Sequence, residues 1–164
     1  MAKFILLFIM VLGFFSCQDK KPELESDGTS SYEISTENWP KKSDINAKAQ
    51  SVIENWTEYD ALEASFDAMY TVANRDDLSL IIDDIIEKQK ALETSEYPVR
   101  LDKPEIKSRQ KVFKTYMLKV KGDLFYRLDP RESVIQMIDA YNALRNRFNV
   151  IVNNTLDTRL LLEE

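Results

Sequence analysis

The side chains able to perform chemistry in this chain are carboxylates and cationic groups, because the sequence contains no histidine and a single cysteine, Cys17. The absence of histidine excludes Ser-His-Asp and Cys-His nucleophilic catalysis. It also excludes the Glu-x-x-His motifs of di-iron helical bundles and histidine ligation of haem. A zinc site built from nitrogen and sulfur ligands is excluded as well. The sequence therefore predicts a protein that is not an enzyme and that holds no metal and no other cofactor.

Two pairs of neighbouring acids, Asp76-Asp77 and Asp83-Asp84, are the remaining candidates for a cation site. Calcium and magnesium favour oxygen ligands, which these carboxylates would supply. Adjacent residues on a helix, however, point about 100° apart, and no EF-hand loop pattern surrounds either pair. We therefore interpret both pairs as part of a solvated acidic face.

A second group of polar side chains falls within or beside otherwise apolar stripes. Its members are Glu63, Gln89, Arg109, Gln110 and Arg145. Tracing antiparallel helices at about 1.5 Å per residue brings them to nearly the same height. The sequence thus predicts a polar layer in the core, with Glu63 paired to Arg145 or to Arg109. Such a layer would set the register of the helices. The alternative is a small polar pocket that takes a ligand.

The elements that must position these groups are four amphipathic helices. Apolar residues recur at steps of three and four in the stretches 44–73 and 75–94, and in two further stretches that begin at Pro104 and at Pro130. Glycine is scarce, with 3 residues in the whole chain, which disfavours the tight hairpins of a sheet protein. Short connections between such helices predict an all-α, up-down-up-down four-helix bundle. A three-helix core with one loose helix is the alternative.

Charge is distributed unevenly between the second and third predicted helices. Between Ile106 and Gly122 the third helix carries basic residues and no acid, whereas the second is mainly acidic. The basic residues are Lys107, Arg109, Lys111, Lys114, Lys119 and Lys121. Placing the two helices side by side would relieve both charge excesses, so we expect them to be neighbours. The alternative is that the basic face binds an acidic partner or lipid phosphate.

The N-terminal segment has the layout of a secretory signal peptide. Lys3 provides a basic start, residues 4–15 are apolar, and Ser16 is the small residue that a signal peptidase requires. The apolar run is too short to cross a bilayer. We therefore expect residues 1–16 to be a signal peptide that is removed.

The four residues Phe14-Phe15-Ser16-Cys17 resemble the lipobox of bacterial lipoproteins. The resemblance implies a diacylglycerol on the thiol of Cys17 and acylation of the new amino group. Two or three buried acyl chains make a stable membrane anchor, whereas one chain is marginal. The alternative is an ordinary secreted protein with a free thiol, which would be a liability in an oxidising compartment.

Residues 17–43 are polar and show no apolar period, which predicts a flexible tether before a helical domain at 44–164. We expect Trp39, near the end of this stretch, to dock on the domain. The charged residues 18–21 resemble the export-type tethers of Bacteroidetes surface lipoproteins. That resemblance implies a bacterial cell envelope location, with the outer membrane or the cell surface favoured over the inner membrane.

The overall charge bears on the choice of partner. Removal of residues 1–16 takes away one basic residue, Lys3, and changes the formal net charge from −6 to about −7, which disfavours nucleic acid. In its anchor, tether and bundle, the chain resembles small helical lipoproteins of Bacteroidetes and Flavobacteria. We therefore predict a membrane-anchored, non-enzymatic binding or structural module, with an envelope protein as its possible partner. The alternative function is a small-ligand carrier that uses a polar pocket in the bundle core.

Overall fold

A computed structural model describes residues 32–154 of the 164-residue chain. Within that part the chain is helical and forms no strand; an isolated antiparallel bridge joins Glu33 to Asn74. The helices are α1 (Ala47–Ile53), α2 (Thr57–Ala68), α3 (Arg75–Thr94), α4 (Pro104–Phe125) and α5 (Arg131–Asn153), and a 3₁₀ turn (Met69–Thr71) follows α2. The predicted signal peptide, Cys17 and the chain on either side of residues 32–154 lie outside the described residues.

The first predicted helix, 44–73, is wrong as a single element. The chain leaves helical geometry at Trp56 (φ −92°, ψ 83°), so that α1 and α2 are separate helices. The break allows the Trp56 ring to enter the core, where it contacts Tyr59, Tyr97 and Phe148. Its indole N–H donates to Ser95 Oγ at 2.8 Å. Because the apolar period continues across the break, the pattern of residues does not show it.

The later boundaries agree with the sequence pattern. Helix α3 spans the predicted residues 75–94, and the side chain of Asn74 caps it by accepting from the Asp77 N–H at 2.9 Å. Helix α4 begins at Pro104, as predicted. Helix α5 begins at Arg131, one residue after the predicted Pro130. Prolines and polar caps mark these starts because they act locally, without help from tertiary contacts.

The helices pack in chain order around a core rich in aromatic rings. Helix α4 packs most extensively against α5, and α3 contacts both α2 and α4. The ring of Tyr141 stacks on Phe66 at 3.9 Å and lies 5.0 Å from Phe113, joining α5, α2 and α4. The prediction that the acidic and basic helices are neighbours is confirmed, because Lys114 pairs with Glu93 at 2.7 Å and Lys121 pairs with Asp83 at 2.6 Å.

Residues 32–43, assigned to the tether by the sequence pattern, lie against the helices. The Ile34 N–H donates to the Ala73 carbonyl at 2.9 Å. Trp39 is 8% exposed and packs on Tyr70, which confirms its expected docking. The Tyr70 hydroxyl in turn donates to the Pro40 carbonyl at 2.7 Å.

Two asparagines of α5 hold the segment that precedes α1. Asn142 Oδ1 accepts from the Ser43 N–H at 2.7 Å, and its Nδ2 donates to the Lys41 carbonyl at 2.9 Å. Asn149 makes the same pair of bonds, to the Asn46 N–H and the Asp44 carbonyl, both at 2.9 Å. A periodicity search misses this segment because backbone hydrogen bonds, and not an apolar stripe, attach it.

Helix α4 ends in a Schellman motif in which an arginine takes the usual place of glycine. The Leu128 N–H donates to the Asp123 carbonyl at 2.8 Å, and the Arg127 N–H donates to the Leu124 carbonyl at 3.2 Å. Arg127 has φ 57°, the left-handed conformation that side chains with a Cβ disfavour. The end of α4 is thus formed at a conformational cost.

Replacing Arg127 by glycine is expected to raise the free energy of unfolding by about 1 kcal/mol, because glycine adopts positive φ without that cost. The matched control is Arg127→Ala, which removes the guanidinium but keeps the Cβ; its stability should stay within about 0.5 kcal/mol of the parent. Urea denaturation followed by circular dichroism measures both. Equal stabilities for the two variants would show that the left-handed turn carries no strain.

Candidate functional site

The sequence-predicted polar residues Glu63 and Arg145 come together between α2 and α5. Tyr59 and Glu63 are four residues apart on α2, and Tyr141 and Arg145 are four residues apart on α5. Side chains with this spacing share a helix face. Each of the two helices therefore contributes one tyrosine hydroxyl and one charged side chain to the contact between them. Lys42, from the segment before α1, lies 3.5 Å from Glu63 at the edge of this contact.

The four side chains form one hydrogen-bonded network. Glu63 Oε1 accepts from Arg145 Nη1 and, at 2.5 Å, from the Tyr141 hydroxyl. Arg145 Nη1 also donates to the Tyr59 hydroxyl at 3.1 Å, and its Nε donates to the carbonyl of Ser43 at 2.6 Å. The Arg145 side chain is 7% exposed and that of Glu63 is 23% exposed. The charges are thus largely removed from water, and both are paired within the protein.

The surroundings of the network hold each group in one protonation state. Burial alone would raise the pKa of the Glu63 carboxyl, but hydrogen bonds from Tyr141 and Arg145 and the charge of Arg145 lower it. Burial raises the pKa of the Tyr141 and Tyr59 hydroxyls, and the negative charge of Glu63 adds to that rise. At neutral pH the carboxylate is therefore ionised and both tyrosines are neutral: Tyr141 donates to Glu63 and Tyr59 accepts from Arg145, which suits a structural ion pair.

The stability of the protein is expected to fall in acid partly through Glu63. Its pKa in the folded protein lies below the reference value of 4.5, so the stabilisation is complete above about pH 4.5 and is lost as pH falls through the folded pKa. Urea denaturation at a series of pH values should show a steeper acid decline for the parent than for Glu63→Gln, which cannot titrate. Parallel curves for the two proteins would remove Glu63 from the acid response.

The other predicted members of the polar layer lie elsewhere. Gln89 on α3 and Gln110 on α4 are buried, but neither bonds to the network. Gln89 Nε2 donates to Glu93 at 3.4 Å, and Gln110 Oε1 accepts from the Tyr97 hydroxyl at 2.5 Å. The inclusion of Arg109 is wrong, because its side chain is exposed. Residue 109 points about 100° away from residue 110, so the inward direction of Gln110 turns Arg109 towards solvent.

Sequence analysis missed the tyrosines of the network. Tyr59 and Tyr141 fit the apolar period of their helices and are indistinguishable there from ordinary core residues, although a buried tyrosine hydroxyl usually has a hydrogen-bond partner. Their spacing of four residues from Glu63 and Arg145 is the signal that identifies them as partners. Asn142 and Asn149, seven residues apart on α5, were missed as well, and that regular spacing is the only trace of their role in the sequence.

A cleft of about 350 Å³ opens on the surface between α3 and α4, and we call it the α3–α4 cleft. Its lining includes Glu93, which pairs with Lys114 at 2.7 Å, together with Tyr97, Lys107, Gln110 and Leu118. Lys107 lies over the Tyr97 ring, 5.1 Å from its centroid. Gln110 is 1% exposed, and its Nε2 has no hydrogen-bond partner among the described residues. Cations, an amide donor and an apolar wall together suit a small anion with an apolar portion.

A second surface feature lies at the opposite end of α4. Phe125, Tyr126 and Leu128 are 78%, 72% and 56% exposed, and we call these three side chains the loop patch. Beside it is a cleft of about 610 Å³ whose lining includes Phe125, Arg127 and Tyr32. Tyr32 is the first described residue, so the described part of the chain begins next to Phe125 of the loop patch.

The acidic pairs on α3 have separate partners. Asp76 accepts from the Tyr32 hydroxyl at 3.0 Å, whereas Asp77 accepts from Asn74. Asp83 pairs with Lys121, and Asp84 lies 3.4 Å from Lys88. Within residues 32–154 no three acidic or cysteine side chains are grouped so that they could hold a metal ion.

Comparison with known protein families, with curated proteins and with solved structures finds no match to this chain. Of the helices between residues 32 and 154, none has the length and apolar character needed to cross a membrane.

Proposed function

We propose that this chain is an acylated lipoprotein of the bacterial cell envelope whose helical domain is a non-enzymatic binding or structural module. The observation that carries the proposal is the loop patch beside Tyr32. A binding module is expected to expose a contiguous apolar surface, because apolar residues that are exposed singly are common on any protein and do not indicate a binding site. Phe125 and Tyr126 pack against each other at 5.1 Å, Leu128 is exposed two positions further along the chain, and Phe125 shares a cleft with Tyr32, the first described residue.

The domain itself we propose to be an up-down-up-down four-helix bundle. Its four members are the α1–α2 pair taken together, α3, α4 and α5. The proposal is supported by contacts between successive members and by the short connections 95–103 and 126–130. Short connections between long packed helices favour antiparallel neighbours. In such a bundle the Glu63–Arg145 pair sets the alignment of α2 against α5, a structural role that uses no chemistry.

The anchor is the part of the proposal that an experiment tests most directly. When the chain is expressed in a bacterium supplied with a labelled fatty acid, we expect label on the parent protein and none on Cys17→Ser. The parent should sediment with membranes, preferentially the outer membrane, and extracellular protease should show whether it reaches the surface. A parent protein without label that is released in soluble form would refute the lipoprotein proposal.

A small-ligand carrier is the second candidate function, and the α3–α4 cleft favours it. The proposed pocket is not at the level of Glu63, because the network there has its partners within the protein. Instead, the lysines of the cleft would receive a carboxylate, which at Lys114 would take the place of Glu93, with Leu118 against its apolar portion.

Titration with octanoate tests the carrier function. Changes in amide chemical shift should concentrate on cleft residues and should weaken in Lys114→Ala, whereas Lys119→Ala on the same helix is the matched control. Lys119 bonds to Gln136 of α5 and is not part of the cleft lining. Uniform or absent shifts in the parent protein would eliminate the carrier function.

A further inference from the structure

We infer that the loop patch lies in the interface of the bilayer that holds the acyl anchor, so that the domain contacts the membrane at a second point beside its tether. The inference rests on the proposed lipoprotein function and adds the partner of the patch. The partner is the headgroup and upper acyl region of a phospholipid bilayer.

The composition of the patch fits that environment. Phe125 and Tyr126 pack edge to face at 5.1 Å and form one aromatic unit that projects from the end of α4. Tyrosine is favoured where one end of the ring is apolar and the other is wet, as at a membrane surface. Leu128, a residue that is 56% exposed, adds an aliphatic side chain. The three side chains thus offer an apolar tip with one polar edge.

Arg127 provides the charge that an interfacial loop requires. It lies between Tyr126 and Leu128 in sequence, is exposed, and forms no ion pair with any described residue. It also occupies the left-handed position of the Schellman motif, where glycine would be more stable. A cation with apolar neighbours on both sides matches lipid phosphate above acyl chains, and long cationic side chains reach the headgroups in this way.

The position of the first described residue supports contact with the same membrane. Tyr32 and Phe125 line one cleft, so the patch and the start of the described chain are at the same end of the domain. Roughly 15 residues separate Cys17 from Tyr32, and a fully extended chain of that length reaches about 50 Å. The anchor therefore keeps the patch within reach of the bilayer and raises its local concentration there.

The size of the patch disfavours a second copy of the chain as the occupant. Aromatic side chains bury about 150–250 Å² each, so Phe125 and Tyr126 supply at most about 500 Å², and Leu128 adds only one partly exposed aliphatic side chain. A stable protein interface requires about 800 Å² from each partner. A membrane contact has no such minimum, because it only has to add to an anchor that already holds the protein.

Site-specific fluorescence on the acylated full-length protein tests the inference. Because Cys17 is the only cysteine and is acylated in the proposed protein, Leu128→Cys provides a unique site for an environment-sensitive dye. The matched control is Val99→Cys, which is 90% exposed and lies in the α3–α4 connection, about 33 Å away along the 22 residues of α4. Vesicles of phosphatidylethanolamine and phosphatidylglycerol carry a quencher on their acyl chains.

We expect the dye at position 128 to shift to shorter wavelength and to lose intensity by quenching when the protein is added to vesicles, while the dye at position 99 does neither. In Phe125→Ser/Tyr126→Ser, the shift at position 128 should be lost, although the protein still floats with the vesicles. Equal responses at positions 128 and 99 in floating protein would overturn the inference and leave the anchor intact.

Three other outcomes separate the alternatives. A protein that carries no acyl chain and does not float overturns the proposed function and this inference together. A dye at position 128 that is shielded without vesicles, in proportion to protein concentration, assigns the patch to a second copy. Shielding that is independent of both vesicles and concentration assigns it to a segment of the chain itself.

Discussion

Replacing Trp56 by alanine is expected to lower the free energy of unfolding by about 3–5 kcal/mol, the usual cost of removing a large ring from a core. Trp56 is 3% exposed and contacts rings from α2, α5 and the α3–α4 connection. The variant also leaves Ser95 Oγ without the indole donor. Urea denaturation followed by far-ultraviolet circular dichroism measures the loss, and we expect a lower midpoint for the alanine variant than for the parent.

Two phenylalanine variants separate packing from hydrogen bonding. Trp56→Phe keeps a ring but loses the donor to Ser95, and should cost about 1 kcal/mol or more. Trp39→Phe is the matched control, because the Trp39 indole N–H is buried without a partner among the described residues. It should therefore cost less than Trp56→Phe. A Trp56→Ala variant within about 1 kcal/mol of the parent would contradict the role given to the α1–α2 break.

Replacing Glu63 by alanine is expected to lower the free energy of unfolding by about 3 kcal/mol. The change leaves the guanidinium of Arg145 without its carboxylate and the Tyr141 hydroxyl without its acceptor, and removing one partner of a buried pair costs about 3–5 kcal/mol. We take the lower end of that range because the Glu63 side chain is 23% exposed. Chemical denaturation at neutral pH measures the effect.

Asp67→Ala is the matched control for the Glu63 variant. Asp67 is also on α2 and also pairs with Lys42, but its side chain is 58% exposed, so its removal should cost under about 1 kcal/mol. The double variant Glu63→Ala/Arg145→Ala should be less destabilised than the sum of the two single variants, since neither charge is then left alone. Additive losses, or a Glu63→Ala midpoint equal to that of the parent, would show that the network does not act as a unit.

The polar residues show how far local pattern extends into tertiary structure. Heptad steps through a stripe identify Glu63 and Arg145 as inward-facing, and helix geometry alone brings them to a similar height. The same argument fails for Arg109, because a stripe identifies a face only to within about one residue. Which of two adjacent side chains turns inward depends on how α4 is rotated against α3 and α5. That rotation is set by the volumes packed between the helices.

The break at Trp56 and the segment before α1 are tertiary features for the same reason. Residues on both sides of the break have helical propensity and keep the apolar period, so no local signal opposes one long helix. The chain bends because the indole gains ring contacts with α5 and a bond to Ser95, which come from distant parts of the sequence. The segment 41–46 is held by Asn142 and Asn149, roughly 100 residues further along the chain.

The sequence by itself determined the helical class of residues 32–154, the starts of the last three helices, and the pairing of an acidic helix with a basic one. Capping, proline geometry and the apolar period act over a few residues, and the charge excess of a helix is a property of its composition. All of these features can therefore be derived without coordinates. Only the tertiary structure decided where the first helix breaks, which polar residues meet, and which apolar side chains remain at the surface. Those outcomes depend on the mutual rotation and packing of whole helices, a competition among contacts between residues far apart in sequence.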